Sequence, residues 1–294
     1  MCIRDRFIIC ILLIFGSLQL NYSQNKIQQI KSEKVLYKSI DSIDLFLHIY
    51  RPKSFDKSKV YNCIIFFHGG AWNTGNYKYF QRQSQYFASR GLVAMTVDYR
   101  IRSKHNITPF DSMEDAKSAI RFVRQNAKIF SINPNMIAAG GGSAGGHLAA
   151  SSANIDKFDN KNENLKISSR PNALVLFNPI VDTSPGSFGY NSFINKTKIN
   201  LTFPPIEGSP IHNISKDSPP TIIFVGTEDK LIPIKTIEDY DQKMKKVGSI
   251  CEVIFYDGAE HSFFNKGEDF VDTLYRADIF LKSLGYIEGE PTIK

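Results

Sequence analysis

Ser143 lies in a glycine-rich stretch that could place a nucleophile at the apex of a tight turn. The apolar run Met136–Ala139 leads into glycines 140–142, and a helix-forming segment follows the serine. The pattern Gly-x-Ser-x-Gly at residues 141–145, between a strand and a helix, is typical of a nucleophile elbow. Glycine is needed there because a Cβ would collide with the neighbouring strand and helix. The stretch therefore indicates nucleophilic catalysis by a serine hydroxyl, which requires a base to take its proton.

Two polar clusters later in the chain supply that base and an acid to orient it. His261 follows the last apolar strand-like run and is the predicted base. Asp229 follows the preceding run and is the predicted acid, with the neighbouring Glu228 as its competitor. An acid in this position would hold the imidazole in the required tautomer and stabilise its charged form. The predicted catalytic set is Ser143, Asp229 and His261.

The cluster His68-Gly69-Gly70-Ala71-Trp72 follows another apolar run and could bring backbone close to the reacting group. The backbone N–H groups of Gly70, Ala71 and Ala144 are predicted to form an oxyanion hole. Each preorganised donor of this kind contributes about 10²–10³ in rate. Trp72, the only tryptophan, is predicted to line the substrate pocket as one of its walls, with a core position behind the loop as the alternative.

The other histidines are predicted to be structural. His68 should brace its own loop, and His147 should be buried on the helix that follows the serine. A surface or loop position is favoured for the remaining three: His48, His105 and His212. Asp98 is expected to brace the sheet edge together with Arg100.

Hydrophobic periodicity places the polar clusters at the ends of strands. Alternating segments at 33–40 and 44–51 predict an antiparallel hairpin. Continuous apolar runs, typical of strands buried on both faces, follow at 60–67, 92–99, 136–139, 173–177, 221–225 and 252–256. Helical spacing lies between and after them, at 77–90, 112–127, 234–247 and 269–284, and in the segment that follows the serine. Asp111 or Ser112 is the expected cap of the second helix, and Asn133-Pro134 should break the chain before the strand that leads to the serine.

This alternation predicts an α/β fold, with a mostly parallel twisted sheet, an antiparallel N-terminal hairpin and helices on both faces. Ligands of such sheets bind beyond the carboxyl ends of the strands, so the polar clusters should meet at one edge. Residues 181–218 form a long, turn-rich stretch and are predicted to be a cap or loop insertion, because such loops usually cover a site. Residues 156–170 are polar and are predicted to be a loop.

The first residues are predicted to form a secretory signal peptide. Arg4 and Arg6 precede an apolar run from Phe7 to Phe15, and polar residues follow. The run is shorter than the roughly 20 residues that span a bilayer. We therefore expect a signal peptide at 1–23, a single domain at 24–294, secretion or a periplasmic location, and no stable membrane anchor after cleavage. An uncleaved N-terminal anchor is the alternative.

Composition excludes several other classes of function. The net charge is +7, but the lysines are scattered, so no basic stripe for nucleic acid is present. There is no His-Glu-x-x-His motif and no cysteine pair at zinc spacing, so neither a metal nor a cofactor is expected. Of the four cysteines, Cys63 and Cys251 lie outside the signal segment, and both are predicted to be buried free thiols. The oligomeric state is not predicted.

Taken together, the chain resembles the α/β-hydrolases of the hormone-sensitive-lipase and acetyl-esterase type over about residues 33–284. The resemblance rests on His68–Trp72, Asp98-Tyr99-Arg100, Gly141–Gly145, Gly226–Pro233 and Gly258–Phe263. The chain order Ser, Asp, His matches that fold. Alanine stands at position 71 where many relatives have glycine, but its N–H remains available. A His-Gly-Gly-x-Trp loop is also similar to those of formamidases and polysaccharide-linked esterases.

The resemblance implies a secreted serine carboxylesterase that hydrolyses short-chain acyl esters through an acyl-enzyme. Its substrate would be a small-molecule ester or an acylated polysaccharide. An aryl-formamidase-like amidase is the enzymatic alternative, and a non-catalytic binding protein on a hydrolase scaffold is the second. The sequence gives neither the acyl length nor the alcohol.

Overall fold

Eight strands form one sheet in the computed structural model, which describes residue 27, residues 29–194 and residues 201–293. In chain order they are β1 Glu33–Ile40, β2 Ile43–Tyr50, β3 Tyr61–Phe67, β4 Val93–Val97, β5 Ile132–Gly142, β6 Ala173–Phe177, β7 Thr221–Gly226 and β8 Cys251–Tyr256. Their order across the sheet is β1-β2-β4-β3-β5-β6-β7-β8. The β1–β2 and β2–β4 pairs are antiparallel and the others are parallel. The predicted α/β fold is confirmed.

Eight α-helices connect and cover the strands among the described residues: α1 Gln81–Ser89, α2 Arg102–His105, α3 Pro109–Gln125, α4 Ala127–Phe130, α5 Ala144–Asn154, α6 Phe188–Ile194, α7 Ile234–Lys246 and α8 Gly267–Ser283. Apolar side chains form a core on each face of the sheet. Residues 156–170 form the expected loop. The insertion at 181–218 contains α6 and two 3₁₀ turns, Pro205–Gly208 and Pro210–His212.

Helix α3 begins earlier than predicted. Thr108 caps it, Pro109 is its first residue, and Asp111 is its third residue, not its cap. The Asp111 carboxylate accepts a hydrogen bond from the Thr108 N–H at 2.8 Å. This is a capping box with aspartate at the third helical position. Proline suits the first position, because an N–H there would have no acceptor within the helix.

The predicted break at Asn133-Pro134 is wrong, because β5 continues through these residues. Tyr61 pairs with Ile132 and Cys63 pairs with Ile137, so the register shifts between the two pairs. Residues 133–136 lie between these two pairs and pair with no residue of β3, so Pro134 needs no N–H for the ladder and the strand continues past it.

The expected Asp98–Arg100 pair is wrong, because Arg100 belongs to a buried ion cluster with Asp115. Arg100 donates instead to Asp115 of α3, from Nε at 2.8 Å and from Nη2 at 2.9 Å. Lys38 Nζ of β1 lies 2.6 Å from the same carboxylate, whose side chain is 0% exposed. Asp98 lies 3.0 Å from Nε2 of His48, which is buried on β2 and not on a surface or loop as predicted. The cluster fixes α3 against the antiparallel end of the sheet.

Cys63 and Cys251 are free and buried, as predicted. Their strands, β3 and β8, are not neighbours in the sheet. Burial raises the pKa of both thiols, which keeps them protonated and unreactive.

The predicted signal peptide at 1–23 lies outside the described residues. None of the helices in the described residues combines the length and the hydropathy that a membrane span requires.

His147 on α5 ties the insertion to the core, and its titration should affect stability. It is buried, its Nε2 lies 2.7 Å from the Gly208 carbonyl oxygen, and burial lowers its pKa to about 4. Unfolded histidine titrates near 6.5, so the unfolded chain binds more protons than the folded chain between about pH 6.5 and pH 4. This group therefore lowers the free energy of unfolding as the pH falls through that window, by about 3 kcal/mol in full.

We expect His147→Gln, which can still donate to Gly208, to lose less stability on acidification than the wild type. Urea unfolding at pH 7 and pH 4.5 measures the difference, which should be about 2 kcal/mol smaller for the variant. Equal acid losses in the two proteins would contradict a neutral buried His147.

Candidate active site

Ser143 occupies the turn between β5 and α5 with φ 54° and ψ −119°, a conformation that residues other than glycine rarely adopt. Its N–H donates to the Phe177 carbonyl oxygen at 3.0 Å. A Cβ on Gly141 would lie 2.4 Å from the Phe67 carbonyl oxygen, and one on Gly145 would lie 2.1 Å from it. The glycines are therefore required by the close approach of β3, β5 and α5, and the turn holds the serine at the carboxyl edge of the sheet.

His261 and Asp229 form a direct pair at the same edge. His261 follows β8, and its Nδ1 lies 2.8 Å from Oδ2 of Asp229, which follows β7. The Asp229 side chain is 0% exposed, and its Oδ1 accepts from the N–H groups of Leu231 at 2.9 Å and Ile232 at 3.0 Å. The competitor Glu228 is exposed. The geometry thus brings Asp229, and not Glu228, to the histidine.

This pairing sets the tautomer of His261. A carboxylate that accepts from Nδ1–H leaves the lone pair of Nε2 available on the other side of the ring. Ser143 and His261 line one cavity of about 510 Å³. No hydrogen bond joins the Ser143 hydroxyl to His261 among the described contacts; such bonds are often long before substrate binds and tighten in the complex.

The loop after β3 supplies N–H groups to this cavity. Gly70, Ala71 and Trp72 have φ values of 119°, 52° and 55°, so three successive residues lie in the left-handed region. The Thr74 N–H donates to the Gly70 carbonyl oxygen at 3.0 Å, which closes the loop. Within the described residues, the N–H groups of Gly70, Ala71 and Ala144 donate no hydrogen bond to the protein. These are the three donors that the sequence predicted for an oxyanion.

His68 supports this loop, as predicted. Its Nδ1 lies 2.8 Å from the Gly69 carbonyl oxygen, and the Tyr99 hydroxyl donates to the His68 carbonyl oxygen at 2.7 Å. The two rings stack with centroids 4.2 Å apart. Burial lowers the pKa of His68 to about 4, so the ring is neutral at pH 7. A neutral, stacked ring can brace the loop but is too enclosed to act as the base.

The predicted pocket position of Trp72 is wrong. Its side chain is 0% exposed and does not line the cavity. It packs edge-on against His147 and Phe193, with ring centroids 4.9 Å and 4.8 Å away. The left-handed backbone at this residue turns the indole inward, behind the loop and under α6. Trp72 therefore belongs to the core that supports the loop.

The cavity wall is aromatic and polar but carries no Lys, Arg, Asp or Glu among its described residues. Phe188 of α6 brings the 181–218 insertion to the wall, as predicted, and Tyr79 is 55% exposed at its surface. The full lining is Gly69, Gly70, Ala71, Asn73, Thr74, Tyr79, Phe80, Gly142, Ser143, Phe188, Leu231, His261, Ser262, Phe264 and Asn265. An uncharged lining of this size suits a small, neutral substrate group.

Sequence reasoning missed Asn178. It follows β6 directly, is 0% exposed, and its Nδ2 lies 3.3 Å from both ring nitrogens of His261. The sequence did contain one signal for it: Asn178 directly follows a buried strand, as the predicted site residues do.

Comparison with known families identifies the family of this chain. The family described as BD-FAE matches residues 47–244. The chain belongs to the BD-FAE family. It is thereby a member of the α/β-hydrolase esterase superfamily, as the sequence motifs implied. The matched residues contain the serine and the aspartate of the site, whereas His261 lies beyond them.

Several relatives of this BD-FAE member are named as esterases or ester hydrolases. An acetylxylan esterase of Xylanibacter ruminicola is 27% identical over 185 residues, which are 61% of this chain and 36% of the relative. Esterase 2 of Thermogutta terrifontis phosphonylated by sarin is 38% identical with a TM-score of 0.83, covering 88% of this chain and 97% of that one. The same esterase with propionate bound is 40% identical with a TM-score of 0.82, covering 88% of this chain and 96% of that one. The matched regions cover 36%, 49% and 56% of the lengths of the first three curated relatives.

Because Trp72 packs in the core, we expect its truncation to act on stability. Trp72→Ala should reduce the free energy of unfolding by about 3–5 kcal/mol, the usual cost of a large buried aromatic. Trp72→Phe should lose less and should keep the wild-type order of preference among esters from acetate to octanoate. Urea unfolding and kcat/KM for that series measure the two effects. A changed chain-length preference at unchanged stability would return Trp72 to the cavity wall.

Proposed function

We propose that this protein is a serine carboxylesterase that hydrolyses short-chain acyl esters, with Ser143 as nucleophile, His261 as base and Asp229 as the orienting acid. The single observation that carries the proposal is the His261–Asp229 pair at 2.8 Å beside a strained Ser143 in one cavity. The three unpaired N–H groups of Gly70, Ala71 and Ala144 complete the set as the oxyanion hole.

The proposed reaction proceeds through an acyl-enzyme. The Ser143 hydroxyl oxygen attacks the ester carbonyl carbon while Nε2 of His261 takes its proton. The carbonyl oxygen becomes an oxyanion that the three N–H groups stabilise. The imidazolium then gives its proton to the departing alkoxide, and the alcohol leaves. A water molecule, deprotonated by the same histidine, releases the acid and restores the serine.

The cavity supports a short acyl group. Its lining is uncharged, and Phe188 and Leu231 offer apolar surface beside Ser143. The Thermogutta terrifontis neighbour was solved with propionate and with butyrate bound. The acetylxylan esterase among the relatives supports an acylated polysaccharide as the natural substrate. The N-terminal segment supports export as a secreted or periplasmic protein.

The first test is hydrolysis of p-nitrophenyl esters from acetate to octanoate by the wild type and Ser143→Ala. We expect the short esters to be cleaved and the variant to lose at least about 10³-fold in kcat. An inert wild type that is labelled by a fluorophosphonate would favour the amidase alternative. An inert wild type that is not labelled would favour the non-catalytic binding protein.

A second prediction concerns the oxyanion loop. A Cβ on Gly70 would lie 2.2 Å from the Thr74 carbonyl oxygen, so Gly70→Ala must distort the loop. We expect kcat to fall by about 100-fold or more, with a smaller change in KM, because the lost N–H contacts act on the transition state. Steady-state kinetics with p-nitrophenyl butyrate measures both constants.

Gly91→Ala is the matched control for this variant. Gly91 also has a left-handed φ, 93°, but a Cβ there would contact nothing within 4 Å. It should cost folding stability through backbone strain and leave kcat near the wild-type value. Similar losses of kcat in both variants would remove the argument for a specific role of the loop.

A further inference from the structure

Asn178 is a fully buried residue directly after β6 that the proposed reaction does not use. Its φ is 34°, and its N–H donates to the Phe224 carbonyl oxygen of β7 at 2.7 Å. The backbone is thereby fixed between two central strands. A buried amide needs partners for its oxygen and its nitrogen, because an unpaired polar group in the interior is costly. The partners of Asn178 lie in the loop that carries His261.

The orientation of the Asn178 amide follows from its contacts. Its Oδ1 accepts from the Ser262 N–H at 3.3 Å, and only the oxygen can accept, so Nδ2 must face His261. Nδ2 lies 3.3 Å from both Nδ1 and Nε2 of the ring. In the ring plane, a nitrogen equidistant from both at this range would overlap the carbon between them. The amide nitrogen therefore lies over the face of the imidazole.

A contact on the face leaves the in-plane positions of the ring free. Nδ1 keeps its bond to Asp229, and Nε2 keeps its lone pair for the serine. An N–H group over an aromatic face is attracted to the π electrons of the neutral ring. The amide thus limits rotation of the ring out of the plane shared with Asp229.

The corner of the chain that carries Asn178 also holds the nucleophile. The Phe177 carbonyl oxygen accepts from the Ser143 N–H at 3.0 Å, and the Ile180 N–H donates to the Ser143 carbonyl oxygen at 3.2 Å. Residues 177–180 therefore contact both the serine and the histidine, and a shift of this corner would move one relative to the other.

We propose that Asn178 is a positioning residue that sets the ring plane of His261 relative to Ser143. This proposal rests on the serine-esterase function proposed above and deepens it. Asp229, in the loop after β7, is the charged partner of the ring at 2.8 Å. Tyr79 is the other titratable residue in the described cavity lining, and Glu260, in the histidine's own loop, is exposed.

Two variants separate the charge effect from the geometric effect. Asn178→Asp keeps the shape and the acceptor for Ser262 but puts a negative charge over the ring, which favours the imidazolium. The acid limb of kcat/KM against pH should move to higher pH by about one unit or more. Asn178→Gly suits the φ of 34° and removes the amide. It should lower kcat by about 10–100-fold with KM within about threefold, because the ring loses its fixed plane.

Asn135→Asp is the matched control for charge. Asn135 is exposed near the amino end of β5, at the opposite edge of the sheet from the site. The acid limb of kcat/KM against pH should therefore not move in this variant. Titration of the His261 Cε1 proton by NMR, in the wild type, Asn178→Asp and Asn135→Asp, follows the same charge effect without turnover.

The outcomes distinguish this proposal from the esterase function itself. A shift of the NMR midpoint in Asn178→Asp alone supports the contact even if the wild type cleaves no ester, in which case only the esterase function fails. An active wild type with unchanged NMR midpoint in Asn178→Asp and unchanged kcat in Asn178→Gly would overturn the role of Asn178 and leave the esterase function standing.

Discussion

The site depends on one steric constraint: the Phe67 carbonyl oxygen of β3 points into the turn between β5 and α5. Both glycines of the turn must lack a Cβ because that oxygen occupies the space. The strained backbone of Ser143 follows, since the chain has no room for a wider turn. The residue after β3, His68, begins the loop that carries the proposed oxyanion donors. One close contact therefore fixes the proposed nucleophile and these N–H groups relative to each other.

Charge at the site is controlled by burial. His68 and His147 are enclosed so completely that burial lowers the pKa of each to about 4. Both rings are therefore neutral at pH 7, and each supports a loop through a contact with a backbone carbonyl oxygen. His261 keeps 20% of its side chain exposed and has a buried carboxylate on Nδ1. Asp229 is in turn held by two backbone N–H groups, so its orientation does not depend on the histidine. Environment, more than residue type, separates the three histidines.

Much of the site could be predicted from sequence because strand ends are local signals. Each polar cluster directly follows an apolar run, and parallel strands carry such clusters to one edge. The choice of ion-pair partner, in contrast, depends on tertiary packing and not on neighbouring residues in the sequence. Arg100 could pair with Asp98 or with Asp115, and the packing of α3 against the sheet decides for Asp115. The inward direction of Trp72 follows from a left-handed backbone that no pattern of residue types reveals. Asn178 could not be predicted as a site residue, because a single amide side chain belongs to no sequence motif.

The place of β8 at the edge of the sheet has a consequence for synthesis of the chain. Strands β3 to β7 can pair before β8 is made, and they carry the serine, the loop donors and Asp229. His261 follows β8, so the site gains its histidine only when the last strand docks. Domains fold as units as the chain emerges from the ribosome, amino-terminal parts first. Between the synthesis of Ser143 and that of His261, the nascent chain therefore carries the proposed nucleophile without its proposed base. The proposed reaction can begin only once β8 has joined the sheet.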